Sequence, residues 1–469
     1  MSSASLSSRG RFPRLVLAAA SSDAGKTTLA LGLVTALRRR HLAVAVAKTG
    51  PDFIDAAHLT RAAGRPARNL DAWLAPEDVV QASFARGAAG ADITIIEGAM
   101  GLYDGRHGTG EGSSAHIARL LAAPVVLVLD CAKASATIGA IAYGLAHYDP
   151  YVRVAGAILN RVASDRHAAT VRDAVRRAGL EVFGTVRRDE RIGLPSRHLG
   201  LVEPGADGWE RSISAAAEAF ANDVDLDSLL EHARSAPPLA QAAPHLGMID
   251  EASAGAPRRC DEQTLDARIA LARDEAFWFY DEASLEALVE AGAHFVPYSP
   301  LRDPFPTNVV GAFLGGGYPE LHAPALAANG AGRDGLRRAI AAGMPAYAEC
   351  GGLMYLGEAL ETPSGTYPMV GAVPAISTLG ERRSALRYVE ARALGAGPLF
   401  VDDEVVRGHE FHYSRTRYAM QTPAFAIDDE REGFRAANMH ASYVHVHLGA
   451  RPHTARAFVA NARAFGGVR

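Results

Sequence analysis

The run Leu15-Val16-Leu17-Ala18-Ala19-Ala20 leads directly into Ser21-Ser22-Asp23-Ala24-Gly25-Lys26-Thr27-Thr28, and this junction decides the fold of the first half. Six apolar residues read as a strand buried on both faces, and the pattern from Lys26 to Arg40 predicts a helix. The loop between them has the parts a nucleotide phosphate requires: Gly25 where the backbone comes close, Lys26 for charge, and Thr27 with a hydroxyl for magnesium. The generic loop opens on a glycine where this chain has Ala20. A strand, a turn and a helix with a chance Gly-Lys-Thr is the competing reading, and the context on both sides weighs against it. Nucleotide contact is assigned to Ser22, Asp23, Ala24, Gly25, Lys26, Thr27 and Thr28. The stretch from Met1 through the apolar run faintly imitates a secretory signal, but a strand feeding the loop explains it better.

Apolar runs at 43–47, 93–96, 125–130 and 154–159 repeat the character of the first strand, with helical patterns at 115–121 and 165–178. Such an alternation predicts an α/β fold: a parallel sheet covered on both faces, with ligand groups just past the strand ends. From 235 to 264 the periodicity fails among Pro237, Pro238, Pro244, Gly255 and Pro257, which reads as a linker. A second α/β series follows, with strands at 268–272, 294–296, 310–314 and 345–348 and helices at 282–291 and 333–342. The expected domains are 1–234 and 265–469.

A chain of 469 residues is too long for one core. Its hydrophobic content of 48% with 21% charged residues suits a soluble globular protein. A formal charge of −4 argues against nucleic acid as a partner. No apolar stretch is long enough to span a bilayer. Cys131, Cys260 and Cys350 are too far apart for a disulfide framework or a Cys-rich zinc site, and suit a reducing cytoplasm.

Acidic residues gather after the next two strands. Lys48-Thr49-Gly50-Pro51-Asp52-Phe53-Ile54-Asp55 turns sharply at Gly-Pro, and Asp52 and Asp55 can share one side of a helical turn. Glu97-Gly98-Ala99-Met100-Gly101-Leu102-Tyr103-Asp104-Gly105 adds Glu97 and Asp104. Carboxylates beside a phosphate loop suit Mg²⁺, which binds oxygen and keeps several waters. The bland reading, for Asp55 and Asp104 above all, is helix capping.

The second half carries a different chemistry. Tyr347-Ala348-Glu349-Cys350-Gly351-Gly352-Leu353 reads as a nucleophilic cysteine on a strand–turn–helix elbow, where helix N–H groups surround the sulfur. The partnering base should be a histidine distant in sequence, and Ala441-Ser442-Tyr443-Val444-His445-Val446-His447-Leu448 offers two. His409-Glu410-Phe411-His412 with His440 could suggest a metal, but no third ligand is fixed.

These segments resemble the cobyrinic acid a,c-diamide synthase family through most of the chain. The matching blocks are Lys48 to Asp55, Gly64-Arg65-Pro66-Ala67-Arg68-Asn69-Leu70-Asp71-Ala72-Trp73, Glu97 to Gly105, Leu159-Asn160-Arg161-Val162, Leu194 to Leu201 and Arg407 to Ser414. Ser22-Asp23-Ala24 is similar to dethiobiotin synthetase. Gly315-Gly316-Gly317-Tyr318-Pro319-Glu320 resembles the oxyanion loop of class I glutamine amidotransferases. The resemblance implies a dethiobiotin synthetase-like P-loop domain joined to a class I amidotransferase domain. The activity implied is ATP-dependent amidation of the a and c acetates of a corrin ring in cobalamin biosynthesis, with glutamine as nitrogen donor.

By the same resemblance, ATP meets Asn160 through the adenine edge, and magnesium meets Thr27, Asp52 and Glu97. Asp52, Asp55 and Asp104 lie at the carboxylate being activated. Gly316, Gly317 and Gly351 form the oxyanion and glutamine site, and His445 is the base for Cys350. His447 stands where the His-x-Glu pattern of the generic class I glutamine amidotransferase places glutamate, so the third member of the triad is open. The partners implied are glutamine and a tetrapyrrole polycarboxylate, with a homodimer as the assembly considered. Two rival readings are a paralogue acting on another tetrapyrrole, such as a nickel sirohydrochlorin, and a nucleotide-switched binding protein.

Overall fold

The computed structural model describes residues 9–194, 196–197, 200–201, 205, 207–240, 267–380, 384–420 and 422–467. Most of the expected linker, including Cys260, lies outside the described residues, as do Pro195, His198 and Leu199 of the 194–201 block. The chain divides into two compact units, the first ending at His245 and the second beginning at Leu246.

In the first unit the five apolar runs form β1 (Arg14–Ala19), β2 (Val44–Thr49), β4 (Ile93–Glu97), β5 (Val125–Asp130) and β6 (Val154–Val162), and two strands that the sequence reading did not foresee, β3 (Arg68–Leu70) and β7 (Glu181–Arg187), join them. They make one parallel sheet in the order β3-β2-β4-β1-β5-β6-β7. Leu15, Leu17, Ile95, Val126 and Val128 are almost wholly buried. Complete burial of each large aliphatic side chain contributes about 1.5–3 kcal/mol, which accounts for the unbroken apolar runs. Arg14, which opens β1, is equally buried, and its guanidinium donates to Leu121 O, Phe12 O and Pro237 O. Burial still draws its pKa down to about 10.

Register sets up the chemistry. Lys48 of β2 lies beside Glu97 of β4, and Glu97 lies beside Leu17 of β1. Helix α1 (Lys26–Arg39) starts from Gly25, whose φ of 87° is a left-handed conformation that glycine adopts without strain. Its first turn has no acid and no side-chain cap, so its N–H groups remain available to an anion. Helix α2 (Phe53–Ala63) is longer than the short turn expected, and Asp52 is its N-cap.

The second unit holds β8 (Ala267–Ala272), β9 (Ala293–Tyr298), β10 (Gly311–Leu314), β11 (Ala346–Glu349), β12 (Phe434–Ala436) and β13 (Met439–Ser442). The sheet order is β9-β8-β10-β11-β13-β12, parallel except for β12. Two further sheets from the stretch 359–446 accompany it, a four-stranded mixed one and a five-stranded antiparallel one, and the sequence reading did not foresee them. One of them pairs the strand Val405–His412 with His445–Val446. Among the described residues no helix is long and apolar enough to cross a membrane.

Candidate active sites

The phosphate loop sits at the end of the central strand β1. Lys26 Nζ donates to Ser21 O at 2.8 Å, so the lysine folds back over its own loop. Burial first, then the charge of Lys48, hold its pKa below the usual lysine range. Asn160, expected at the adenine, donates from Nδ2 to Ala24 O at 2.9 Å while its Oδ1 accepts Arg161 N–H. Its amide therefore braces the loop from the end of β6.

A buried ionic cluster lies beside the loop. Lys48 Nζ donates to Asp55 Oδ2 at 2.6 Å and to Glu97 Oε1 at 2.9 Å. Thr27 Oγ1 donates to Glu97 Oε1 at 2.5 Å and to Asp55 Oδ2 at 3.3 Å. Glu97 and Lys48 are essentially inaccessible to solvent. Burial, countered by Lys48, pushes the Glu97 carboxyl up to about 7. For Asp55 burial pulls upward, but the charge and hydrogen bond of Lys48 outweigh it and hold the carboxyl below its ordinary range. Burial opposes the charge on Lys48 too, and Asp55 with Glu97 more than compensates, keeping it protonated.

The sequence reading placed Asp52 with Thr27 and Glu97. In the structure the carboxylate that meets the Thr27 hydroxyl with Glu97 is Asp55, while Asp52 Oδ1 accepts Asp55 N–H at 3.0 Å as the cap of α2. Burial and the neighbouring Asp55 carboxylate push Asp52 up to about 6. Asp104 is exposed and accepts Gly101 N–H at 2.8 Å, closing its own turn. Lys48 received no role from sequence, although it opens the block that carries both aspartates.

Magnesium is the metal the fold implies, and the residues present fit it. Glu97 Oε2 is buried without a hydrogen-bond partner, next to the Thr27 hydroxyl and the Asp55 carboxylate. Such an all-oxygen set suits a hard cation that retains waters and phosphate oxygens.

In the second unit β11 ends in the elbow. Cys350 has φ 48° and ψ −103°, a strained conformation for a residue with a side chain, and the helix Gly351–Leu356 follows at once. Cys350 N–H donates to Ser442 O at 2.7 Å, tying the elbow to β13. The thiol lies 3.8 Å from Phe411 O on the strand Val405–His412. That strand also places His409 against His445, with ring centroids 4.9 Å apart and nearly parallel planes.

The glycine loop after β10 fits between base and nucleophile. A Cβ on Gly316 would fall 2.7 Å from His445 Cε1, and one on Gly351 would fall 3.0 Å from Gly317 N. Gly317 has φ 156°, and a Cβ there would lie 2.0 Å from Ala276 O. All three expected glycines therefore converge on the elbow. Burial, followed by the charge of Glu320, pushes the Cys350 thiol well above its usual pKa, so the sulfur rests protonated. Glu320 is itself pushed up to about 7 by burial.

His445 Nδ1 lies 3.2 Å from Glu349 Oε2. Val446 N–H donates to Glu349 Oε1 at 3.1 Å, and the Tyr347 hydroxyl donates to that same oxygen. His447 is turned elsewhere: its Nδ1 accepts Ala450 N–H at 3.0 Å, and its Nε2 lies 3.6 Å from Asp281. His440 packs among Phe400 and Phe425, and His412 bonds Ser414 O and stacks on Tyr443.

Comparison with known proteins agrees with both halves. Residues 15–202 match the CobQ/CobB/MinD/ParA nucleotide binding domain, and residues 268–453 match the CobB/CobQ-like glutamine amidotransferase domain. The chain is similar to the cobyrinate a,c-diamide synthase of Gloeobacter violaceus, 43% identical over 95% of this chain and 96% of that one. Against the cobyrinate a,c-diamide synthase of Dehalococcoides mccartyi it is 39% identical, covering 96% and 98%. Against the hydrogenobyrinate a,c-diamide synthase of Streptomyces coelicolor it is 41% identical, again covering 96% and 98%.

Proposed function

The chain belongs to the cobyrinate and hydrogenobyrinate a,c-diamide synthase family, and from that premise we propose that it amidates the a and c acetates of cobyrinic or hydrogenobyrinic acid. It is a ligase that forms amides with glutamine as nitrogen donor, and its first unit uses a nucleotide, which we assign as ATP. Glutamine and the corrinoid acid are the two substrates, and the reaction belongs to the cytoplasm. The observation that carries this reading is the Cys350 elbow with His445 on Glu349, in a chain that also has a phosphate loop.

At the first site a ring carboxylate oxygen attacks the γ-phosphorus of ATP, giving an acyl phosphate and ADP. Lys26 and the N–H groups of α1 hold the phosphates and take up the charge that develops on the transferring group. Magnesium, held by Thr27 and Glu97 with Asp55 or Asp52 nearby, would supply charge neutralisation there. Lys48 keeps the two carboxylates from repelling each other out of position.

At the second site Cys350 Sγ attacks the side-chain amide carbon of glutamine, and the thiol proton passes to His445. The tetrahedral oxyanion is held by N–H groups of the Gly316–Gly317 loop and of Gly351. His445 returns the proton to the departing nitrogen, releasing ammonia and a glutamyl thioester that water hydrolyses. Ammonia then attacks the acyl phosphate, and phosphate leaves as the amide forms.

Incubation with ATP, Mg²⁺, glutamine and a panel of tetrapyrrole acids tests the substrate. Mass spectrometry should show a loss of about one mass unit for each acid group converted, in two steps on the corrinoid acid. Amidation of a different macrocycle alone would overturn the corrin assignment while leaving the ligase chemistry in place.

A further inference from the structure

We propose that the acid which orients and balances His445 is Glu349, the residue immediately before the nucleophile, and not a residue following the histidine. The proposal rests on the glutaminase reading above and deepens it.

Three observations carry it. Glu349 Oε2 faces His445 Nδ1 at 3.2 Å, the distance at which a ring protonated on Nδ1 donates to the carboxylate and carries its basic lone pair on Nε2. The other carboxylate oxygen is fixed by Val446 N–H and the Tyr347 hydroxyl, which holds the acceptor in one orientation. The position two residues after the base is occupied by His447, whose ring nitrogens serve Ala450 and the neighbourhood of Asp281. Sheet register explains how Glu349 reaches the ring. Glu349 on β11 pairs with Ser442 on β13, so the strand end that presents Cys350 lies beside the chain that carries His445.

The arrangement answers a need of this site. The thiol starts protonated, so its proton must move to His445 during attack and create an imidazolium in a buried setting. His445 and Glu349 are only 3% and 7% exposed, so solvent cannot stabilise that charge, and an adjacent carboxylate can. The other titratable groups around the ring are His409 and His412 on the facing strand, with Glu410 between them bound by Arg387, and Cys350 and Glu320 on the nucleophile side. Burial holds His409 and His412 below the usual histidine range, so both are neutral near pH 7.

The test uses the full chain and glutamine hydrolysis, which needs no knowledge of the ring substrate. Glu349→Gln should lower kcat by roughly a hundredfold or more, and should move the acid limb of kcat/KM to lower pH. Glu349→Asp, which keeps the charge, should recover part of the loss and restore the limb. Amidation supported by ammonium should stay within about twofold of the unsubstituted protein, which distinguishes a local effect from misfolding. His447→Gln should leave the acid limb where it is. Unchanged kcat and pH profile in Glu349→Gln, or a limb that moves in His447→Gln, would overturn the assignment. Absence of glutamine hydrolysis in the unsubstituted protein would instead sink the glutaminase reading, and this inference with it.

Discussion

Glu97 combines three properties that rarely coincide in one carboxylate. It is fully buried, it shares Lys48 with Asp55, and one of its oxygens lacks a partner. Its folded pKa of about 7 lies above the ordinary glutamate value of 4.5. Between those values the folded chain holds a proton that the unfolded chain has released. Stability therefore falls as pH rises from about 4.5 to about 7 and then levels off. Binding of a cation runs the other way, because it needs the ionised form. Affinity for Mg²⁺ with nucleotide should rise between pH 5.5 and about 7 and flatten above, by up to roughly tenfold per pH unit. Titration with a fluorescent nucleotide across pH 5.5–8.5 measures this. Glu97→Gln should bind weakly at every pH, and a slope that persists in that variant would show that another group is responsible.

The glycine loop after β10 and the elbow after β11 are short elements whose value lies in backbone path. Gly317→Ala would place a Cβ 2.0 Å from Ala276 O at a φ of 156°, so the loop must move. Its N–H would then leave the neighbourhood of Gly351, and glutamine hydrolysis should fall by about 10²-fold or more. Ammonium-supported amidation should persist, and parallel assays with the two nitrogen sources check both statements. These two elements were legible in sequence because glycine and cysteine at a strand end have few other uses. The parallel strands were legible for a related reason, since burial on both faces leaves an unbroken apolar run, as in Val125-Val126-Leu127-Val128-Leu129. The strands of the two smaller sheets between 359 and 446 were not, because edge strands such as Gly365–Pro368 expose most residues and show no apolar period. Asp55 rather than Asp52 against Thr27, and Glu349 against His445, were hidden as well. Both depend on register between strands or on which of two aspartates caps a helix, and spacing along the chain carries no record of either.

At the scale of the whole molecule, the two units divide one reaction into a nitrogen source and an acyl activator, and the protonation of ammonia shows whether they are coupled. Ammonia in water near pH 7 is almost entirely protonated to ammonium, which cannot attack an acyl phosphate, so ammonia that escaped into solvent would be largely wasted. In Cys350→Ala the glutamine route is closed, since no other residue at the elbow carries a thiol. The nucleotide-binding unit keeps its own core and its own ionic cluster, so activation of the acid should survive. Ammonium chloride should then restore amidation, with a rate that climbs roughly tenfold per pH unit between pH 6.5 and 8.5 as free ammonia increases. If ammonia formed unprotonated beside His445 is consumed before it equilibrates, the glutamine-dependent rate of the unsubstituted protein should climb far less over that range. Two parallel pH profiles of the same product decide the matter. If both nitrogen sources gave the same steep rise, ammonia would be passing through bulk water and the two units would be working independently.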